Sequence, residues 1–450
     1  MSRPIVHEIV RLAWPVFVAQ IAIMGNGVID TVMAGRYGTL DLAGVGIGAS
    51  IYVTLFVTLM GVLVALMPTA AQLYGARRYA EVGEEVRQSA WLAMWLAAIA
   101  LVLLTHPGPL IALSKLTPEV DAKVRAYLDL IAWGVPAALL LRIFQGFSTA
   151  VSRPRAVMTL NLIGLALKVP LNWMFMYGKL GLPPLGGAGC ALATSIIAWL
   201  TCGFAWAWCA LEPGYRRYGV FARWSWPSAR AQWQLVALGV PIGATFFVDV
   251  TAFTFMALFV ARFGALWSGA HQIAANLAAL CFMLPLAVGH ASSVLVGQAL
   301  GAREPARGRA TATTGVLIGL ACGLVIGSTI YLAAGEITPL YTSDSAVQAA
   351  AVRLLALVAV YHMFDAVQAV AANVVRAYKR AAVPMLIYGV ALWGVGLGGG
   401  YLLGVAPVDL PGLPGPLGAY GFWLAATVGI ALTAALMTVY LVRLGRAHAP

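Results

Sequence analysis

The chain is 450 residues long, 61% hydrophobic and only 10% charged, with mean hydropathy +0.87, whereas soluble domains are roughly 25% charged. No water-soluble core absorbs that much apolar surface, so the composition excludes a soluble enzyme and points to a polytopic membrane protein. The net charge of +12 could suggest a nucleic-acid partner, but its distribution along the chain reads as membrane topology instead.

Apolar runs of spanning length fall near residues 9–33, 43–72, 89–113, 126–150, 157–177 and 188–211. Further runs fall near 233–261, 269–300, 310–334, 348–376, 383–404 and 418–442. Each reaches the roughly 20 residues that a bilayer requires of a helix, so the expectation is twelve transmembrane helices. The first run leads into the second with no small-residue cleavage site and reads as a retained helix. Pro15, Pro68, Pro136, Pro170, Pro241 and Pro285 lie inside runs, where in a membrane they mark kinks or freed carbonyls as readily as helix ends. Cys190, Cys202, Cys209, Cys281 and Cys322 lie in or beside apolar runs without metal spacing and read as small core residues.

The basic residues orient the spans. With a cytoplasmic N-terminus, the inner segments hold Arg3 and Arg11, Arg77, Arg78 and Arg87, Arg153 and Arg155, then Arg216, Arg217, Arg223 and Arg230. They continue with Arg303, Arg307 and Arg309, Arg376, Lys379 and Arg380, and finally Arg443 and Arg446. The outer segments hold only Arg36, Lys115, Lys123, Arg125, Lys179, Arg262 and Arg353. Short loops obey the positive-inside rule, which puts both termini in the cytoplasm. Arg142 and Lys168 are left within spans, where snorkelling or pairing with carbonyls is expected.

A shift of 226 residues lays Pro15 on Pro241, Arg36-Tyr37-Gly38 on Arg262-Phe263-Gly264, and Gly75-Ala76-Arg77 on Gly301-Ala302-Arg303. With small gaps, Gln145 meets Gln368, Arg153 meets Arg376, and Leu185-Gly186…Gly189 meets Leu417-Gly418…Gly421. The chain therefore reads as two halves, 1–211 and 233–450, joined by a cytoplasmic linker at 212–232. An even number of crossings per half makes the repeats parallel, related by a pseudo-two-fold axis along the membrane normal. The fold class is thus an all-α membrane protein of two six-helix halves.

The halves differ in their acids. At offset 223 Asp365 faces Arg142, and at offset 226 Asp249 faces Ile23 and Asp30 faces Met256. Asp30, Asp249 and Asp365 lie inside spans, where a carboxylate costs about 2.5–3.5 kcal/mol on insertion scales and marks a functional site by default. Tyr361, Asp365, Gln368 and Ala372 share one helical face. The bland alternatives are an Asp249 satisfied by Thr245 or Thr251, and an Asp30 paired at the interface with Arg36. His271, Gln272 and Asn276 open the eighth span, either lining a site or bonding between helices. His290 and His362 read as satisfied packing residues. No HExxH, Walker A or GxSxG pattern occurs, so the chain is not expected to be an enzyme.

Several stretches resemble one family. Ile29-Asp30-Thr31-Val32-Met33-Ala34-Gly35, Pro170-Leu171-Asn172-Trp173, Gly186-Gly187-Ala188-Gly189-Cys190, His271-Gln272-Ile273-Ala274-Ala275-Asn276 and Asp365-Ala366-Val367-Gln368 are similar to the multidrug and toxic compound extrusion (MATE) transporters, closest to their NorM-like bacterial branch. The resemblance implies two six-helix bundles around a central cleft, residence in a bacterial inner membrane, and efflux of organic cations coupled to Na⁺ or H⁺. It matches Asp365 and Tyr361 to the cation-site residues of helix ten and Asp249 to the acidic position of helix seven. Asp249 and Asp365 then form the site for the coupling ion. Asp30 matches an acid on helix one, and Gln272 a polar position near the cleft. Asn276 and Gln368 join these as substrate-binding candidates. The branch often has glutamate on helix seven; the shorter aspartate here leaves Na⁺ and H⁺ both open.

The implied mechanism is exchange by competition. Low dielectric disfavours a bare carboxylate, and a cation stabilises its charged form. The expected partners are small organic cations and membrane lipid, with no cofactor, nucleic acid or obligate protein partner. A lipid-linked oligosaccharide flippase of similar architecture is the alternative, followed by a channel or intramembrane enzyme.

Overall fold

Residues 3–108, 111, 116–406 and 416–447 are described in a computed structural model, and their regular structure is helical throughout. Runs this apolar take that form because a helix satisfies its own backbone N–H and C=O groups where no water can. The helices are α1 (Arg3–Tyr37), α2 (Thr39–Leu63), α3 (Leu66–Gly75), α4 (Tyr79–Thr105), α5 (Pro118–Ala132), α6 (Val135–Ala150), α7 (Pro154–Met176), α8 (Ala188–Leu211) and α9 (Pro213–Arg216). They continue as α10 (Ala229–Ala261), α11 (Ala265–Gly301), α12 (Pro305–Leu332), α13 (Ala334–Ile337), α14 (Ser345–Ala377), α15 (Ala382–Tyr388), a π-helical stretch Gly389–Gly398, α16 (Gly399–Gly404) and α17 (Ala419–Ala447).

Among the described residues eleven segments are long and apolar enough to cross a bilayer, counting Thr39–Gly75 and Ala382–Gly404 once each, and the pair α5–α6, bent by 49°, makes the twelfth. Pro15, Pro170, Pro241 and Pro285 lie inside continuous helices. Pro68 and Pro136 instead sit in the first turn after a break. At the α5–α6 break the carbonyl of Leu130 accepts from the Ser195 hydroxyl at 2.7 Å, and that of Trp133 from the Trp199 indole N–H at 2.9 Å. A neighbouring helix thus satisfies the groups that the break sets free.

The repeat is written into the helix boundaries. α1 and α10 begin at residues 3 and 229, α2 and α11 at 39 and 265, and α4 and α12 at 79 and 305. Arg77 and Arg303, one repeat apart, both take a left-handed φ, of 59° and 60°. Such a backbone is costly for a residue with a Cβ, so its recurrence marks the same turn built twice. Contacts gather the chain into two units, Val18–Gly243 and Ala244–Pro450 with Met1–Phe17. The division cuts α1 and α10 at equivalent points of the repeat.

In the second unit α14 is the central helix, and the sequence explains its depth. Asp344 caps it, accepting from the N–H groups of Ala346 at 2.9 Å and Val347 at 3.3 Å. Neither Pro nor Gly interrupts it, and Ala and Val dominate its second half. The glycines of α12 let that helix come close. A Cβ added at Gly319, Gly323 or Gly327 would meet the α14 carbonyl oxygens of Ala366 at 3.1 Å, Met363 at 3.1 Å or Ala359 at 2.6 Å. Small residues spaced by four are a common way for membrane helices to pack.

Two charged residues prove to be buried. Arg376 is buried in the last turn of α14. Lys168 does not snorkel; of its two expected roles the pairing with a carbonyl is found, that of Cys190 at 3.3 Å, alongside an ion pair with Asp30. Lys115 lies outside the described residues.

Candidate functional site

The polar face predicted on α14 exists, and it is buried. Asp365 is 5% exposed, and its Oδ1 accepts from Gln368 Nε2 at 2.8 Å. The Tyr388 hydroxyl of α15 donates in turn to Gln368 Oε1. The other carboxylate oxygen, Oδ2, faces His362 Nδ1 at 3.9 Å, too far for a hydrogen bond. Tyr361, one turn earlier, is edge-on to Phe253 of α10 at 6.3 Å and to Trp423 of α17 at 5.9 Å between ring centroids. Aromatic packing on both sides fixes where its phenol points.

Asp249 enters from α10, half-buried. It belongs to the same unit as Asp365 and stands near enough for its charge to bear on that carboxylate. The charge of Arg376 acts on Asp249 as well. Arg376 is 4% exposed, donates to Asn373 Oδ1 at 3.2 Å and lies over the Phe246 ring at 5.0 Å. Sequence reasoning missed this buried cation, although its match to Arg153 was visible. Thr251 is spoken for by its own helix, donating to the carbonyls of Phe247 at 2.5 Å and Val248 at 3.2 Å, and so does not satisfy Asp249.

His362 departs from the satisfied packing role expected of it, and His271 shares its unpaired state. His362 is fully buried, and neither ring nitrogen has a hydrogen-bond partner among the described residues. His271 Nδ1 and Trp423 Nε1 are likewise unpaired, with their rings 5.7 Å apart. Trp423 packs edge-on to Tyr361, and His362 is its neighbour in sequence, so unpaired buried polar groups stand beside that phenol.

The remaining candidates lie elsewhere. Gln272 and Asn276 are on an exposed face of α11, and Asn276 Oδ1 accepts from the Tyr341 hydroxyl at 3.0 Å. Among the described residues no hydrogen bond or ion pair joins them to Asp365. Asp30 belongs to the first unit, where Lys168 Nζ lies 2.8 Å from its Oδ1 and Asn172 Nδ2 donates to the same oxygen at 2.7 Å. The lysine also reaches Thr194 Oγ1, and the carbonyl of Cys190 at 3.3 Å. The interfacial pairing with Arg36 is therefore not the arrangement. In the same unit Arg142 donates to Gln145 Oε1 at 3.3 Å. This is the Asp365–Gln368 pair of the other half with the charge inverted and the glutamine kept.

Asp249 and Asp365 offer hard carboxylate oxygens, which suit a sodium ion or a proton. Among the described residues no group of three or more His, Cys, Asp and Glu side chains is arranged to hold a metal. A cation here relies on this acid pair and on uncharged oxygens such as the Tyr361 phenol.

The MatE family model matches the chain twice, over residues 15–174 and 241–402, two matches that begin 226 residues apart. The chain is 43% identical to the probable multidrug resistance protein NorM of Aromatoleum aromaticum, covering 97% of this chain and 93% of that protein. It is 36% identical to the multidrug resistance protein NorM of Aliivibrio fischeri, covering 98% and 95%. The crystal structure of the eukaryotic MATE transporter AtDTX14 superposes with a TM-score of 0.87 at 18% identity, over 99% of this chain and 98% of that one.

Proposed function

The chain belongs to the MatE family, and from that premise we propose that it is a secondary active antiporter exporting organic cations in exchange for Na⁺ or H⁺. The carrying observation is the acid pair of one unit, Asp365 buried on α14 and Asp249 half-buried on α10. Holding two negative charges there without a cation is costly. A proton, a sodium ion or a drug cation relieves the same strain, so the cations compete, and competition couples opposite fluxes. Tyr361 adds a neutral oxygen. Gln368, held by Tyr388, fixes the rotamer of Asp365. Alternating access follows if each cation favours one access state, since a ligand that binds both equally shifts nothing.

In this reading Gln272, Asn276 and Gln368 of the second unit, and separately Asp30 of the first, are the drug-contact candidates. The protein resides in a bacterial inner membrane with both termini in the cytoplasm. Residues 1–211 and 233–450 are the functional halves, joined by 212–232. A flippase for anionic lipid-linked sugars calls for free cationic side chains. Of the two intramembrane cations, Lys168 is already neutralised by Asp30, and Arg142, bonded to Gln145, is a single cation where a cluster is called for, which weighs against that alternative.

Efflux of a lipophilic dye cation from cells lacking their own pumps tests the proposal, with Na⁺ and external pH varied independently. Expression is expected to speed dye loss severalfold, and collapsing one of the two gradients is expected to remove the gain. Dye loss indifferent to both gradients contradicts the proposal.

A further inference from the structure

Each unit carries an apolar groove between repeat-related helices, and the two grooves are finished differently. In the first unit a cavity of about 600 Å³ lies against Val86, Arg87, Ala90 and Trp91 of α4 and Trp206 of α8. The segment after α9 forms one of its walls. Arg87 donates to the carbonyls of Gly219 at 2.6 Å and Val220 at 3.1 Å, and the Trp91 indole donates to the carbonyl of Ser225 at 2.9 Å. Gly83 makes room for this segment, since a Cβ there would collide with the Tyr218 carbonyl oxygen.

In the second unit a groove of about 370 Å³ is lined by Ala312, Thr313, Val316 and Leu317 of α12. These are the positions of Val86, Arg87, Ala90 and Trp91 shifted by one repeat of 226 residues. Its other walls are α17 and Tyr378. Among the described residues no loop like that after α9 lines it. The position of Gly83 is here Arg309, which lines the groove together with Arg446 from the last turn of α17. Among the described residues neither guanidinium pairs with a carboxylate. The acids at that end of α12 are engaged by Arg307 instead, with Glu8 at 3.1 Å and Glu304 at 3.4 Å.

We propose that this second groove is a binding site for an anionic membrane phospholipid, with the phosphate on Arg309 and Arg446 and an acyl chain along Val316 and Leu317. One half builds a wall of its groove from the chain after α9 and binds that chain's carbonyl oxygens through Arg87. The other half replaces the glycine with an arginine and leaves an apolar floor below two unpaired cations. Leu317 is 43% exposed and Val442 49% exposed, a surface that suits an acyl chain. Charge complementarity selects the headgroup, because guanidinium forks match phosphate oxygens. The orientation proposed above puts the site in the inner leaflet, yet the inference stands apart from which ion drives transport.

Native mass spectrometry of the full chain tests it, using phosphatidylglycerol and phosphatidylcholine with identical acyl chains as probes. The wild type is expected to retain phosphatidylglycerol with about a tenfold preference, the scale set by two basic residues at a membrane surface. The double variant Arg309→Gln, Arg446→Gln is expected to retain both lipids equally. Arg446→Gln alone, at an exposed helix end where folding is not at stake, is expected to lose several-fold of the preference. Equal retention of the two lipids by the wild type, or an unchanged preference in the double variant, overturns the proposal.

Discussion

Asp365→Asn is expected to bring cation-driven efflux down to the background of cells carrying no transporter, with the protein still folded and inserted. The substitution is nearly isosteric, and the amide oxygen still accepts from Gln368 Nε2, so the buried chain through Gln368 to Tyr388 persists. The stability lost is that of one weakened hydrogen bond, about 1 kcal/mol. What disappears is the capacity to be negative. An amide neither binds a proton near neutral pH nor neutralises a sodium ion, so nothing couples the fluxes. Tyr361→Phe supplies the graded comparison, because it removes one neutral oxygen while Phe253 and Trp423 keep the ring in place. It is expected to weaken cation affinity and leave partial transport. Dye efflux normalised to protein in the membrane distinguishes the two, and full activity of Asp365→Asn contradicts the account.

Lys168→Ala is expected to destabilise the first unit by about 3–5 kcal/mol, the usual cost of stranding one member of a buried ion pair. The lysine side chain is 1% exposed and Asp30 14%, so water screens neither well. Asn172 alone then holds the carboxylate. Asp30→Asn strands the lysine and is expected to lower the melting temperature too, which confuses any reading of its transport defect. The double variant Asp30→Asn, Lys168→Met removes both charges and is expected to recover most of the stability, since apolar replacements of buried pairs are often neutral. Melting in detergent gives the stabilities. If the stable double variant also exports dye at the wild-type rate, Asp30 holds the helices together and does not bind the drug.

The spans and the repeat were legible because they rest on hydropathy and on turns whose residues recur. Arg36-Tyr37-Gly38 and Arg262-Phe263-Gly264 each precede a helix, and the arginines of Gly75-Ala76-Arg77 and Gly301-Ala302-Arg303 share one left-handed backbone. The face of Tyr361, Asp365 and Gln368 was legible because a helix fixes it by spacing alone. The ion pair of Asp30 and Lys168 was not, since it joins residues 138 apart through packing that no local pattern encodes. Arg376 misled for a related reason. It ends an apolar run and carries charge, which reads as an exposed cation, yet packing buries it in the last turn of α14. The Tyr388 contact to Gln368 was equally out of reach, because α15 carries no signal of which residue it meets.

The central claim is that Asp249 and Asp365 work as one ion site, and a double-variant cycle of dye efflux tests it most directly. Wild type, Asp249→Asn, Asp365→Asn and the double variant are compared in the same membranes under the same imposed Na⁺ or H⁺ gradient. The account predicts severe losses in both single variants and a double variant little worse than either, because members of one functional unit do not add. Two mild losses that simply sum would contradict it.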